Sequence, residues 1–208
     1  MEVNKIILDL CGGTGAWSQY YKEAGYIVIN VTLPFYDLLK TKIKGDYIVF
    51  RGGSAKPLKV RIADIYGILA APVCTMFSLA RTTAKIPRDF REGMELVKAC
   101  LNIIWECRYN HKLAFWAIEN PMGYLRQFIG KPVFTFDPCD FGDPHTKKTD
   151  LWGYFNMPKK KPIKLNQEQI DRCKINNRKL PNILGLTQKA RRAITPAGFA
   201  KAFYKANK

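Results

Sequence analysis

Residues 5–31 read KIILDLCGGTGAWSQYYKEAGYIVINV, and the order of their apolar runs and glycines decides the fold. KIILDL is a short apolar run of strand type. CGGTGAW is rich in glycine. SQYYKEAG has helical character and closes on Gly25, and YIVINV is a second apolar run. Strand, glycine turn, helix and strand in this order open an α/β sheet.

Further along, DYIVF (46–50) and LKVRI (58–62) flank RGGSAKP, whose Gly52, Gly53 and Pro57 supply the chemistry of a hairpin turn. IYGILAA (65–71) is a buried-strand pattern that runs into APVCTMFS. In DFREGMELVKACLNIIWECRYN (89–110), Met94, Val97, Leu101 and Ile104 recur at helical spacing. KLAFWAIENP (112–121) predicts a strand ending in polar residues. PVFTFDPCDFG and KTDLWGYF predict two more strands around the loop DPHTKK. From residue 156 the chain turns basic, rich in Asn and broken by prolines, which predicts a small irregular segment. TPAGFAKAFYKANK predicts a helix with Thr195 as its cap and Pro196 in the first turn.

The 208 residues suit one domain of ordinary size, and a 47% hydrophobic fraction supports a sizeable core. There are 34 Lys plus Arg against 17 Asp plus Glu, a formal net charge of +17. Such a surface attracts polyanions, and neutralising phosphate charge is the main sequence-independent contribution to nucleic-acid binding. The plainer reading is a soluble basic protein. No apolar run is long enough to span a membrane and no basic amphipathic helix stands out, so no membrane partner is expected. The opening MEVNKIILDL lacks a signal-peptide layout, and the six cysteines include no CxxC pair. Reduced thiols in a cytoplasmic compartment are the expectation. With His111 and His145 the only histidines and no ligand cluster, no metal is expected.

In open parallel sheets, ligands sit outside the carboxyl ends of the strands. Four polar clusters fall there: DLCGGTG, APVCTMFS, IENP and DPHTKKTD. In the first, Gly12, Gly13 and Gly15 allow close backbone approach and positive φ, and a helix N-terminus follows. Asp9 at the strand end could bond a ligand amine or a backbone amide. The spacing matches neither the dinucleotide nor the phosphate-loop pattern, so a small nucleoside without a long phosphate tail fits better. A tight turn with no ligand is the alternative. Cys74 is either a buried apolar filler or an accessible thiolate. Glu119 is either a general acid, its pKa raised by partial burial, or a cap or surface ion pair. Asn120, before Pro121, is biased toward an extended or turn conformation.

Taken in order, the clusters resemble the DNA cytosine-5 methyltransferase family, in its compact phage or prophage form. DLCGGTGAW is similar to the family's DLFxGxGG. AAPVCTMFS matches GGPPCQxFS at Pro72, Cys74, Phe77 and Ser78. ENP matches ENV at Glu119 and Asn120. DPHTKKTDLWG stands where PQxRxR precedes a strand, and TPAGFAKAF resembles the closing helix. The resemblance implies an α/β, Rossmann-like class I S-adenosylmethionine-dependent methyltransferase fold: a mostly parallel sheet with helices on both faces. Residues 1–155 would form the catalytic core, 156–192 a small irregular target-recognition segment, and 193–208 the helix packing back on the core.

The resemblance further implies transfer of a methyl group from S-adenosylmethionine to carbon 5 of cytosine in double-stranded DNA, on a base flipped from the duplex. Cys74 would be the nucleophile, Glu119 the proton donor to ring nitrogen 3, and Asn120 the residue that orients the loop. Asp9, Cys11, Gly12, Gly13, Gly15, Trp17 and Pro72 would hold the cofactor, and Ser78, Lys147 and Lys148 the substrate. No acid closes YIVINV, so Asp37 is assigned to the ribose, with Asp64 as second choice. Lysines stand for the family's arginines, with Thr149 at the second arginine's place. Arg191 and Arg192 are candidates for the arginine motif before the last helix. Lys159, Lys160 and Lys161 suit phosphate contacts or a solvated run. Val73 replaces the proline before the nucleophile and Thr75 a glutamine. The expected protein is a monomer, cytoplasmic in a bacterial host or phage-infected cell. The alternatives are an inactive DNA-binding relative and a cytosine-5 methyltransferase acting on RNA.

Overall fold

The computed structural model describes residues 5–79, 81, 85–170, 191 and 193–208. The first expected unit is present: β1 (Ile6–Leu10), α1 (Gln19–Glu23) and β2 (Ile27–Val31). β3 (Lys42–Lys44), β4 (Tyr47–Phe50), β5 (Leu58–Arg61) and β6 (Ile65–Ala70) follow. Next come α2 (Phe90–Asn110), β7 (Phe115–Pro121), α3 (Arg126–Ile129), β8 (Phe134–Phe136), β9 (Thr149–Tyr154) and α4 (Ala197–Ala206).

Six strands form one sheet in the order β2-β1-β6-β7-β9-β8. β2, β1, β6 and β7 are mutually parallel, whereas β9 runs antiparallel to both β7 and β8. β1 is buried along its whole length, as expected of a strand covered on both faces, which therefore reads as an unbroken apolar run. Alternation splits its side chains. Ile6, Leu8 and Leu10 join Ile68, Ala70 and Ile118 under Cys100, Ile103, Ile104 and Cys107 of α2. On the opposite face, Ile7, Leu69, Phe115, Ala117 and Leu151 pack under Trp17, Tyr21, Phe199 and Phe203. Helices therefore flank both faces.

α4 and the chain next to α1 make an aromatic layer on this second face. The Phe199 ring stacks on Phe136 with centroids 4.0 Å apart, and Phe203 meets Trp17 edge-on at 5.4 Å. Both phenylalanines are fully buried, worth about 1.5–3 kcal/mol each in area removed from water. α4 starts at Ala197 with Pro196 at its N-cap. Thr195 thus lies one position outside the cap assigned to it; the fixed φ of proline starts the helix instead.

The expected hairpin is β4–β5, with Ile48 opposite Val60, and β3 extends it to three strands. Ile48, Phe50 and Val60 bury their inner faces in the α2 side of the core. Residues 156–166 run without helix or strand. They are tied at one end by Asn156 Nδ2 donating to Ala206 O (3.0 Å), and further on by Lys161 N donating to Asp140 O (2.8 Å). The rest of the segment assigned to target recognition, residues 171–190 and 192, lies outside the described residues, as does Cys173. No helix among the described residues is long and apolar enough to cross a membrane.

Candidate active site

The glycine turn after β1 lies directly on Asp9. A Cβ at Gly12 would fall 2.3–2.5 Å from the Asp9 carboxyl atoms, so only glycine fits there. Cys11, Gly13 and Gly15 take left-handed φ values of 57°, 55° and 75°, a region costly for residues with a Cβ. Gly15 N closes the turn on Gly12 O at 2.9 Å. Asp9 is fully buried and accepts a 2.5 Å hydrogen bond from Ser18 Oγ. Burial pushes its pKa up to about 6 against the opposing pull of that hydrogen bond. α1 spans only five residues, so the anion-favouring helix start expected behind the turn is too short to carry that role.

Three buried polar atoms around this turn, Asp9 Oδ1, Trp17 Nε1 and Asn30 Oδ1, have no hydrogen-bond partner among the described residues. Asn30, at the end of β2, also donates through Nδ2 to Gly13 O at 3.0 Å. Buried polar groups are normally paired, so these atoms mark places where a polar ligand would bond. Asn30 stands where an acid was sought in the sequence. Asp37 reaches the cavity wall but uses its carboxylate locally, accepting from Leu39 N at 3.0 Å and facing Lys40 Nζ at 3.7 Å. Asp64 is engaged by the Arg61 guanidinium at 2.6 Å, at the amino end of β6 and away from the cavity.

The Cys11 side chain also reaches the α2 side of the core. Its thiol hydrogen-bonds with Cys100, and this contact, together with burial, holds the Cys100 pKa well above the thiol range.

β6 ends at Ala70, and the chain turns through Pro72 and Cys74. The Cys74 carbonyl accepts from Phe77 N and Ser78 N, both at 2.9 Å, which folds the loop into a tight turn. Cys74 is half-buried, Val73 is 47% exposed and Phe77 is fully buried. Cys74 is therefore neither core filler nor fully open to water. Asn120 is wholly buried and donates through Nδ2 to Pro72 O at 2.9 Å. It fastens the loop to the neighbouring strand β7.

Glu119, the residue before, retains 15% side-chain exposure and faces Lys147 Nζ at 4.0 Å. Its pKa is raised: burial pushes it up, Lys147 opposes, and the nearby Asp150 adds to the rise. Asp150 is held by Arg126 through two 2.6 Å hydrogen bonds. Because β9 is antiparallel, the loop that precedes it reaches the same sheet edge as the ends of β1, β6 and β7. That reversal is how Lys147 arrives beside Glu119 and Lys148 reaches the cavity wall.

These groups line one cavity of about 980 Å³ at the carboxyl edge of the parallel strands. Asp9, Cys11, Gly12, Gly13, Trp17, Asp37, Pro72, Cys74, Ser78, Glu119, Lys147 and Lys148 all reach its wall. Gly15 and Asn120 are not on the wall; they shape it from behind. Thr149, at the expected second arginine position, is buried and donates to Lys147 O at 2.7 Å, so it fixes the lysine loop. Lys160 is engaged by Asp140 at 2.7 Å. Thr195, proposed as a cap from the sequence, lines the cavity instead. A thiol and a carboxyl of raised pKa on one wall suit addition to, and elimination from, an electrophilic carbon. No protein-family model matches the chain, and no curated protein matches it.

Proposed function

We propose that the protein transfers a methyl group from S-adenosylmethionine to carbon 5 of cytosine in DNA, on a Rossmann-like class I methyltransferase fold. The observation that carries this reading is the meeting of Cys74 and Glu119, from the ends of adjacent strands β6 and β7, on a cavity whose other end is the glycine turn. The residues fit the cofactor. Gly12 leaves the backbone bare, and Asp9 Oδ1, Trp17 Nε1 and Asn30 Oδ1 offer acceptors and a donor that the described residues leave unmatched. The volume lies in the range of ligand sites of this size.

Carbon 5 of cytosine is too weak a nucleophile to take a methyl group unaided. The Cys74 thiolate adds at carbon 6, and the electron pair moves toward carbon 5 and ring nitrogen 3. Glu119, whose pKa is raised by its burial, gives a proton or hydrogen bond at nitrogen 3 where negative charge would gather. S-adenosylmethionine, when bound, supplies the electrophilic methyl group. Loss of the carbon 5 proton to a base then expels the Cys74 thiolate and restores the ring. Asn120 holds the loop throughout. Lys147 and Lys148 place positive charge beside the base and its phosphates, as point charges without the fork of arginine. The net charge of +17 supports a polyanionic substrate.

The test is incubation with tritiated S-adenosylmethionine and duplex DNA, RNA, or duplex containing 5-fluorocytosine. A covalent adduct on the fluorinated duplex that disappears in Cys74→Ser establishes the mechanism. DNA binding without transfer or adduct makes the protein an inactive DNA-binding relative, and transfer to RNA alone reassigns the substrate.

A further inference from the structure

Five carbonyls of the Cys74 loop are occupied. Pro72 O takes Asn120 Nδ2, Cys74 O takes Phe77 N and Ser78 N, and Phe77 O takes Tyr124 N at 2.9 Å. The remaining two, Met76 O and Ser78 O, are both held by one side chain. Arg88 donates through Nη1 to Met76 O and through Nη2 to Ser78 O, each at 2.9 Å, with a longer contact from Nη2 to Arg81 O at 3.5 Å. Its guanidinium also lies 4.9 Å from the centroid of the Tyr124 ring. Arg88 is half-buried and immediately precedes Asp89, whose carboxylate caps α2 by accepting from Arg91 N and Glu92 N. The fork is thus mounted on the start of a 21-residue helix.

The same helix presses on the loop directly. A Cβ at Gly93 would fall 2.8 Å from Met76 Cβ and 3.0 Å from the Phe77 ring. On the opposite side, a Cβ at Gly123 would fall 2.3 Å from Phe77 O. The turn is therefore gripped between α2 and the chain after β7, and Arg88 is the only side chain among the described residues that the hydrogen bonds show spanning two of its carbonyls. Val73, where a proline would stiffen the backbone by fixing φ, contributes no such restraint.

We propose that Arg88 is a positioning residue: it sets the place of Cys74 on the cavity wall by clamping the carbonyls of Met76 and Ser78 to the start of α2, replacing the restraint that a proline at 73 would give. The inference rests on the reading of Cys74 as nucleophile, but not on which nucleic acid it attacks. A planar fork can bridge two carbonyls at fixed spacing, whereas a lysine ammonium offers a single mobile point.

The test compares wild type, Arg88→Ala and Arg88→Lys in three measurements: thermal midpoint, single-turnover methyl transfer, and the pH profile of Cys74 alkylation by iodoacetamide, read by mass spectrometry on the peptide bearing Cys74. Arg88→Ala is expected to lower single-turnover rate about 10- to 100-fold, the scale of a misplacement near 1 Å, while the KM for duplex changes less than about 2-fold, as when only transition-state interactions are lost. Its Cys74 alkylation profile shifts along the pH axis, its thermal midpoint stays within about 4 °C of wild type, and Arg88→Lys recovers part of the rate. A superimposable alkylation profile in Arg88→Ala overturns the proposal. So does a collapse of the thermal midpoint with every cysteine becoming reactive, because the role would then be structural. If wild type transfers no methyl group to any nucleic acid, the proposed reaction falls. The alkylation profile still decides Arg88: a shift supports the clamp and no shift overturns it.

Discussion

Lys147 Nζ stands 4.0 Å from Glu119 Oε1, and the ammonium bears on the proton balance of the carboxyl. Burial raises the Glu119 pKa and Lys147 restrains the rise. Removing the cation in Lys147→Met lets it rise further. A carboxyl whose folded pKa is raised contributes stability that is present at low pH and lost as pH climbs through that pKa. Lys147→Met is therefore expected to lose more stability than wild type as pH rises above the ordinary carboxyl value of 4.5, measured by urea unfolding below that value and at neutral pH. In the pH profile of adduct formation, the limb that reports loss of the Glu119 proton moves to higher pH.

Asp9 offers a cleaner reading of the same linkage. Its pKa is raised from 3.8 to about 6 by burial. The associated stability is complete below 3.8 and is lost as pH rises through about 6, with a ceiling near 3 kcal/mol. Asp9→Asn keeps a group that can accept from Ser18 but cannot ionise. It is expected to be the more stable protein at pH 8, and the advantage shrinks toward pH 4. Equal pH dependence in the two proteins would contradict the buried-carboxyl account.

Asn120→Ala removes the Nδ2 donor that Pro72 O accepts at 2.9 Å in a buried setting. The orphaned carbonyl predicts a loss of about 1–3 kcal/mol, read by urea unfolding, together with a slower adduct on fluorinated duplex. Asn120→Asp places an acceptor opposite an acceptor and is expected to be at least as damaging.

Much of the sheet was legible because its strands are unbroken apolar runs and α2 repeats Met94, Val97, Leu101 and Ile104 at helical spacing. The glycine turn was legible too, since a Cβ at Gly12 has no room beside Asp9. Strand direction was not. The side chains of β9 alternate alike whichever way it runs, and only its pairing with β7 reveals the reversal. β3 is three residues long and two of them are lysines, too short to show a period. Asn30 and Arg88 escaped for a different reason. A lone Asn inside an apolar run and an Arg in a proline-containing loop have no local signature, and their partners Gly13, Met76 and Ser78 lie ten or more residues away in sequence. Asp37 was the nearest acid to the end of β2; its carboxylate accepts from Leu39 N, and the residue reaches the cavity wall.

The aromatic layer under α4 predicts a large cost for its truncation. Phe199→Ala removes a buried ring stacked at 4.0 Å on Phe136 and is expected to cost about 3–5 kcal/mol, read from the urea midpoint at constant m-value.

The basic surface predicts steep salt dependence in duplex binding. For four phosphate contacts, affinity falls about 10²-fold between 50 and 200 mM salt. Lys148 is exposed at the cavity wall, and Lys148→Ala is expected to reduce the slope by about one. A flat response in fluorescence anisotropy titrations would contradict the phosphate-contact account.

Ile7, Leu69, Phe115, Ala117 and Leu151 share one face of the sheet, and Phe199 and Phe203 of α4 are part of what covers it. The ribosome delivers β1 through β9 before it delivers Ala197–Ala206, so during synthesis that face emerges without part of its lid. The nascent sheet must spend this interval sticky, shielded by a chaperone or by its own collapse. The wall of the cavity that includes Ile194 and Thr195 arrives with the same late segment. Assembly of the site is thereby timed to the completion of the core, and a nascent chain still lacking that segment has an unfinished cavity.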